Sequence, residues 1–126
     1  MITLSDVAKE YRIGDAPLAA LNGVDLQISE GEFVIVMGPS GSGKSTLLFT
    51  MGGLLSPTKG QVLVRGRDIY KLSRNERAKF IRNNVGFIFQ SFELLPYLTA
   101  LENVALSLYL SEVPSSKHYA IAEDAF

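Results

Sequence analysis

The sequence predicts an α/β fold in which a phosphate-binding loop joins a buried strand to a helix. The loop is the run Gly38-Pro-Ser-Gly-Ser-Gly-Lys-Ser45, which matches the pattern G-x-x-x-x-G-K-[ST] at every fixed position. It follows the apolar run Phe33 to Met37 and leads into the helix-forming segment Lys44 to Met51. Two strand-like segments precede it, Ile2 to Glu10 and Ala19 to Ile28, and predict an antiparallel β layer.

The composition of the loop indicates which ligand it takes. Its glycines leave successive backbone amides unobstructed, so that these can converge on phosphate groups at the start of the helix. The Lys44 ammonium would contact the β and γ phosphates, and the Ser45 hydroxyl would hold Mg²⁺, for which Thr46 is the poorer candidate. A plain glycine/serine surface turn is the alternative. The predicted phosphate-binding residues are Gly38, Pro39, Ser40, Gly41, Ser42, Gly43, Lys44, Ser45 and Thr46.

Two further elements are predicted after the first helix. The turn Ser56 to Gly60 leads into a short strand, Gln61 to Val64. Ser73 followed by Glu76 is a capping box, in which each residue bonds the other's backbone amide, and it predicts a helix that continues to about Asn83.

The last part of the chain is predicted to be mostly helical. Val85 to Gln90 is an apolar run typical of a buried strand. Thr99 followed by Glu102 forms a second capping box, which opens a helix to about Leu110. A final helical pattern runs from about Ser116 to Phe126. The lone histidine, His118, lies at its polar start, where we expect a solvated side chain.

Composition limits the possible functions. The 126 residues include no cysteine, which excludes disulfides and thiolate metal sites and fits a reducing cytosol. A net charge of −1 and the lack of a Lys/Arg cluster give no electrostatic footprint for nucleic acid. No apolar run reaches the roughly 18 residues of a membrane-spanning helix, so we expect any membrane role to come through a partner.

Several motifs together resemble a known family. These are Tyr11, Gly31-Glu-Phe-Val34, the phosphate loop, Pro57-Thr58, Gly60-Gln-Val62 and Val85-Gly-Phe-Ile-Phe-Gln90. In this order and spacing they resemble the ATP-binding subunit of ABC transporters. The stretch Phe92 to Val104 resembles more narrowly the lipoprotein-releasing and macrolide-exporting branch.

This resemblance implies a P-loop NTPase fold of the ABC ATPase type with an incomplete sheet. Residues 1–126 would form part of a nucleotide-binding domain. Residues 1 to about 90 would hold the β layer and P-loop core, and about 91–126 would begin a helical subdomain. Exposed sheet edges and apolar surface should follow, so we expect the chain to be marginally stable or to self-associate.

The resemblance also implies site roles and partners. Tyr11 would stack on the adenine of ATP, and Gln90 would reach Mg²⁺ and the attacking water as the glutamine of the Q-loop. Lys44 and Gln90 would be the catalytic residues, and Ser45 and Gln90 the metal ligands. The partners would be a transmembrane permease and a second ATPase copy in a head-to-tail dimer, with the protein at the cytoplasmic face of the inner membrane.

Other family motifs are absent from the 126 residues. After Lys44 no run of four apolar residues ends in Asp, Leu-Ser-Gly-Gly-Gln does not occur, and no histidine follows an acidic motif. Phosphoryl transfer depends on such positioning groups, so we expect this chain alone to bind ATP without hydrolysing it efficiently. Three functions therefore stay open: an ATPase subunit, a module that only binds nucleotide, or another P-loop class such as a kinase or GTPase.

Overall fold

A long β-hairpin begins the structure, which is a computed structural model describing residues 1–14, 16–109 and 113–125. The hairpin consists of β1 (Ile2–Ile13) and β2 (Ala16–Ile28). With β3 (Lys59–Val64) and β4 (Arg67–Asp68) it forms one antiparallel sheet in the order β2-β1-β3-β4. The predicted β layer is confirmed, and both hairpin strands extend further toward their turn than the sequence predicts.

The core of the first unit, Met1–Val85, lies on one face of this sheet. Apolar side chains from β1, β2 and β3 pack there with Met51 from the first helix and with Ile69 after β4. Alternation along β3 places Val62 and Val64 on this face. In β1 the register shifts between Leu4 and Val7, where Asp6 has a φ of 49°, and this irregularity brings both of those side chains to the same face. The buried apolar cluster consists of Leu4, Val7, Leu21, Met51, Val62, Val64 and Ile69.

The β1–β2 ladder is irregular in its middle. Lys9 pairs with Leu21, whereas the next residue, Glu10, pairs with Ala19, so Ala20 is an extra residue on β2. An extra residue of this kind is a β-bulge, which bends a strand and redirects its backbone groups. A further register shift lies between the Val7–Val24 and Lys9–Leu21 pairs, at Asn22-Gly23 of β2.

The first two helices match their sequence predictions closely. Helix α1 spans Lys44–Met51, and Gly52 is its C-terminal cap. Helix α2 spans Arg74–Asn84 and begins with the predicted capping box, in which the Glu76 carboxylate accepts a bond from the Ser73 amide at 3.0 Å.

The two predicted buried strands are not formed in the described structure. Residues 32–37 and 85–90 have no regular secondary structure. Phe33 and Met37 are 87% and 85% exposed, and Ile88 is fully exposed. A strand is stable only when neighbouring strands satisfy its amides and carbonyls, and none of the described strands pairs with either segment. The expected exposed apolar surface is thereby confirmed.

The second unit, Gly86–Phe126, is helical where it is regular. Helix α3 spans Ala100–Tyr109, and after a 3₁₀ turn at Ser115–Lys117 helix α4 spans His118–Glu123. The predicted capping box is confirmed, because the Glu102 carboxylate accepts a bond from the Thr99 amide at 2.8 Å. Helix α4 ends at Glu123 with Asp124 as its C-terminal cap, so it is shorter than the predicted pattern, which ran to Phe126. The predicted end of α3, Leu110, lies outside the described residues.

The prediction that His118 is solvated is wrong. The residue is only 3% exposed, and its Nε2 lies 2.8 Å from the carbonyl oxygen of Val113. The imidazole also packs edge-on against Tyr109, with 4.8 Å between ring centroids. His118 is buried because α4 packs on α3. The polar residues that precede it in sequence gave no indication of this contact.

Candidate phosphate-binding site

The phosphate loop ends at the N-terminus of α1, where backbone amides are available to an anion. Gly43 is the N-cap residue, has a φ of 87°, and provides no capping side chain. The first turn of α1 contains no acidic residue either. Neither the N-cap nor the first turn of α1 therefore places an anionic side chain at the positive end of the helix dipole, an arrangement that favours phosphate binding.

The Lys44 ammonium is bound by backbone carbonyls of its own loop. The Lys44 ammonium donates hydrogen bonds to the carbonyl oxygens of Gly38 at 2.9 Å and of Pro39 at 2.7 Å. A third contact joins it to the Ser42 hydroxyl at 3.4 Å. These bonds hold the lysine against the first residues of the loop, so the loop already contains a fixed positive charge.

Gly43 is required by its surroundings as well as by its backbone conformation. A Cβ on this residue would collide with the carbonyl oxygen of Ala20, the bulge residue of β2. A φ of 87° is also unfavourable for any residue with a side chain. The bulge and the glycine together set how closely the loop approaches the sheet.

The hydroxyl residues of the loop differ in exposure. Ser45 is exposed at the start of α1, whereas Thr46 is partly buried. Mg²⁺ commonly keeps several waters and is held by one or two protein oxygens together with substrate phosphates. An exposed serine hydroxyl beside a phosphate-binding loop fits that donor set. Among the residues that the structure describes, no cluster of three His, Cys, Asp or Glu side chains could hold a metal ion.

Tyr11 belongs to the same end of the sheet as the loop. It pairs with Leu18 across the hairpin, two residues along β2 from Ala20, a distance of about 7 Å at the usual rise of a strand. Its side chain is 38% exposed. It also borders a cavity of about 580 Å³, whose other lining residues are Glu10, Arg12, Gly14, Pro17 and Thr58.

Gln90 lies in the second unit and is exposed. It follows the stacked rings of Phe87 and Phe89, whose centroids are 5.7 Å apart, in a segment without regular secondary structure. Its predicted role toward Mg²⁺ and water stays a prediction.

Two side chains with clear positioning contacts were missed by the sequence analysis. Lys9 lies over the ring of Tyr11, with its ammonium 5.4 Å from the ring centroid. The spacing of two residues along a strand puts both on one face and is the signal that could have identified it. Asn103 bonds the loop before α3, accepting from the Leu95 amide at 2.8 Å and donating to the Leu95 carbonyl at 3.1 Å.

No helix within the described ranges has both the length and the apolar character needed to cross a bilayer.

A family model described as "ABC transporter" matches residues 21–125. An uncharacterized ABC transporter ATP-binding protein of Thermotoga maritima is 44% identical over 124 residues, covering 98% of this chain and 53% of the relative. The macrolide export ATP-binding/permease protein MacB of Marinobacter nauticus is 44% identical over 119 residues, covering 94% of this chain and 18% of the relative.

Solved structures give the same result for the fold. The ATP-binding cassette MJ0796, in a dimeric post-hydrolysis state bound to ADP and Pi, superposes with a TM-score of 0.89 at 42% identity. The match covers 98% of this chain and 55% of that one. This chain spans about half the length of the Thermotoga maritima relative and of the MJ0796 cassette.

Proposed function

Since the chain belongs to the ABC transporter ATP-binding family, we propose that it binds MgATP through residues 38–46 and serves as part of a transport ATPase. Two observations carry this proposal: the Lys44 ammonium is held within the loop by the carbonyls of Gly38 and Pro39, and the N-terminus of α1 has no capping side chain from Gly43. A fixed cation and a row of amides at a helix start form a site for a polyphosphate.

The proposed roles of the site residues follow from their positions. Lys44 would exchange its bonds with the Gly38 and Pro39 carbonyls for bonds with the β and γ phosphates. Ser45 would contribute a hydroxyl to Mg²⁺, which neutralises phosphate charge when it is bound. Tyr11 would stack on adenine, and Gln90 would act with Lys44 in catalysis and as a second metal ligand.

Thermal unfolding of the 126-residue chain with and without MgATP tests the proposal. Ligand at 100 times its dissociation constant stabilises a protein by about 2.7 kcal/mol, so we expect the melting temperature to rise. The rise should be lost in Lys44→Ala and kept in Lys117→Ala, which removes an exposed lysine of the second unit. An equal rise in melting temperature in both variants would show that Lys44 does not contribute to the site.

A module that binds nucleotide without hydrolysing it is the second candidate. It is favoured by the absence from these 126 residues of the acidic strand-end motif and of Leu-Ser-Gly-Gly-Gln. Phosphate release from ATP separates the two candidates, with Lys44→Ala as the blank. Turnover well above that blank would reject the binding-only function for this chain.

We also propose that residues 1–126 act as part of a larger cassette in an exporter. The similarity to MacB, named a macrolide export ATP-binding/permease protein, supports a transmembrane permease as partner. The dimeric MJ0796 structure supports a second ATPase copy. The cassette would then lie at the cytoplasmic face of the inner membrane. Residues 1 to about 90 would carry the nucleotide core and about 91–126 would begin the helical subdomain.

A further inference from the structure

We propose that Lys9 is a positioning residue for nucleotide binding, which covers one face of the Tyr11 ring and leaves the other for the base. This inference rests on the proposed function, because it concerns how the adenine of ATP is held. Lys9 and Tyr11 are two residues apart on β1 and share a face of the strand. An ammonium 5.4 Å from a ring centroid lies within the range of a cation–π contact.

The position of Lys9 is fixed from its other side. Its ammonium donates a hydrogen bond of 2.8 Å to the carbonyl oxygen of Ser56, in the turn between α1 and β3. The lysine therefore joins the tyrosine ring to the backbone of Ser56, which is 47 residues from Lys9 in sequence. With its ammonium bound to the Ser56 carbonyl, the lysine covers one face of the Tyr11 ring and leaves the other face for a second planar group.

The same turn also stabilises the end of β1. The pairing of β1 with β3 ends at Ala8 and Lys59, so none of the described strands pairs with Glu10 on that edge. Thr58 replaces the missing strand: its hydroxyl accepts a bond from the Glu10 amide at 3.0 Å, and its own amide donates to the Ala8 carbonyl at 2.8 Å. We call Lys9, Ser56 and Thr58 the brace.

The brace also lies next to the contact between the sheet and the phosphate loop. Lys9 pairs with Leu21, and the neighbouring bulge residue Ala20 is the one that contacts Gly43. The ring that would receive the base and the loop that would receive the phosphates are thus attached to one short stretch of hairpin. The brace then sets the placement of the ring without contacting phosphate.

Two probes separate this role from a general loss of structure: MgATP, and magnesium tripolyphosphate, which has phosphates and no base. We expect Lys9→Met to bind MgATP about two- to five-fold more weakly, the usual strength of an exposed cation–π contact. Its affinity for tripolyphosphate should not change at about 0.15 M salt, which screens long-range attraction between an exposed lysine and the phosphates. Lys9→Arg, which keeps both the cation and a donor, should restore MgATP affinity.

A second pair of variants keeps the test independent of Lys9 itself. Thr58→Val removes the hydroxyl that holds Glu10 and should lower affinity for MgATP alone, while Thr58→Ser should bind like the wild type. In Tyr11→Ala, adding Lys9→Met should cause no further loss, because the lysine acts through the ring.

The outcomes distinguish this inference from the proposed function. A wild-type chain that binds neither probe would overturn both. If the wild type binds both probes, three results would overturn only the positioning role. Lys9→Met could lose affinity for both probes equally, or lose no affinity at all. Alternatively, Lys9→Met could lower MgATP affinity in the Tyr11→Ala background as much as it does in the wild type.

Discussion

The hydroxyl of Tyr70 donates toward the carbonyl oxygen of Thr50 at 2.8 Å, and so joins the residues after β4 to the last turn of α1. The same hydroxyl lies 2.6 Å from the carbonyl oxygen of Leu55. One side chain thereby holds both the end of the helix that starts at the phosphate loop and the segment that leaves it.

Removal of this hydroxyl should destabilise the first unit. We expect Tyr70→Phe to lower the free energy of unfolding by about 1 kcal/mol, the usual net value of one such hydrogen bond. Urea unfolding followed by circular dichroism measures it, and Tyr97→Phe, at an exposed tyrosine of the second unit, is the matched control. Equal unfolding midpoints for Tyr70→Phe and the wild type would contradict the role of this hydroxyl.

The same tyrosine should make stability depend on alkaline pH. Burial raises the pKa of Tyr70 to about 12 from an ordinary value of 10.0. The unfolded chain loses this proton first, so the stabilisation is complete below pH 10 and is lost as the pH rises toward 12. The stability difference between the wild type and Tyr70→Phe should therefore shrink over this interval. A difference that stays constant from pH 9 to about 12 would contradict the raised pKa.

Thr50 is buried, and its hydroxyl has no hydrogen-bond partner among the residues that the structure describes. Valine has nearly the same shape and no polar atom to leave unsatisfied. We expect Thr50→Val to raise the free energy of unfolding by about 1 kcal/mol, since an unpaired buried hydroxyl costs that much or more. Thr50→Ser, which keeps the hydroxyl and loses a methyl group, should be less stable than the wild type. A less stable Thr50→Val would show that the hydroxyl is satisfied in solution.

Gly43→Ala should weaken both folding and nucleotide binding. The change combines an unfavourable φ, at about 1–2 kcal/mol, with a collision against the Ala20 carbonyl. Gly86→Ala is the matched control, because a Cβ there meets no atom of the described residues within 4 Å. Urea unfolding and MgATP titration of both variants measure the effects. If Gly43→Ala bound MgATP with unchanged affinity, the close approach of loop and sheet would not matter for the site.

The exposed apolar segment of residues 32–37 should cause self-association. Phe33 and Met37 have no partner strand to cover them among the described residues. We expect concentration-dependent sedimentation by the wild type and a shift toward monomer in Phe33→Lys, since a charge opposes burial of the patch. Leu54→Lys, at another exposed apolar position, should change little. A sharp monomer peak with a cooperative melt for the wild type would reject the prediction.

Local signals in the sequence were sufficient for the helices and the loop. The bounds of α1 and the two capping boxes depend on residues a few positions apart, and the structure forms them as predicted. The strand predictions for residues 32–37 and 85–90 were wrong because a strand depends on partners distant in sequence. The prediction that His118 is solvated was wrong for a related reason, since the burial of this residue depends on how α4 packs on α3.

The candidate site likewise contains residues that the sequence identified and contacts that it did not. The motif at 38–45 identified the residues of the loop, but not the contact of Gly43 with the Ala20 bulge or the bonds of Lys9 to Tyr11 and Ser56. These contacts join positions from 23 to 47 residues apart, except for the Lys9–Tyr11 pair, whose spacing of two was visible in the sequence. Sequence thus finds the groups that would touch phosphate more readily than the groups that orient them.

The bonds of Lys44 to the carbonyls of its own loop have a thermodynamic consequence. Much of the rotamer entropy of the lysine is already lost before any nucleotide arrives, which reduces the entropic cost of binding. In return, binding exchanges one set of hydrogen bonds for another, so its enthalpy is a difference between two similar quantities. Calorimetry of nucleotide binding should accordingly find a smaller heat than the number of new phosphate contacts suggests, with preorganisation providing part of the affinity.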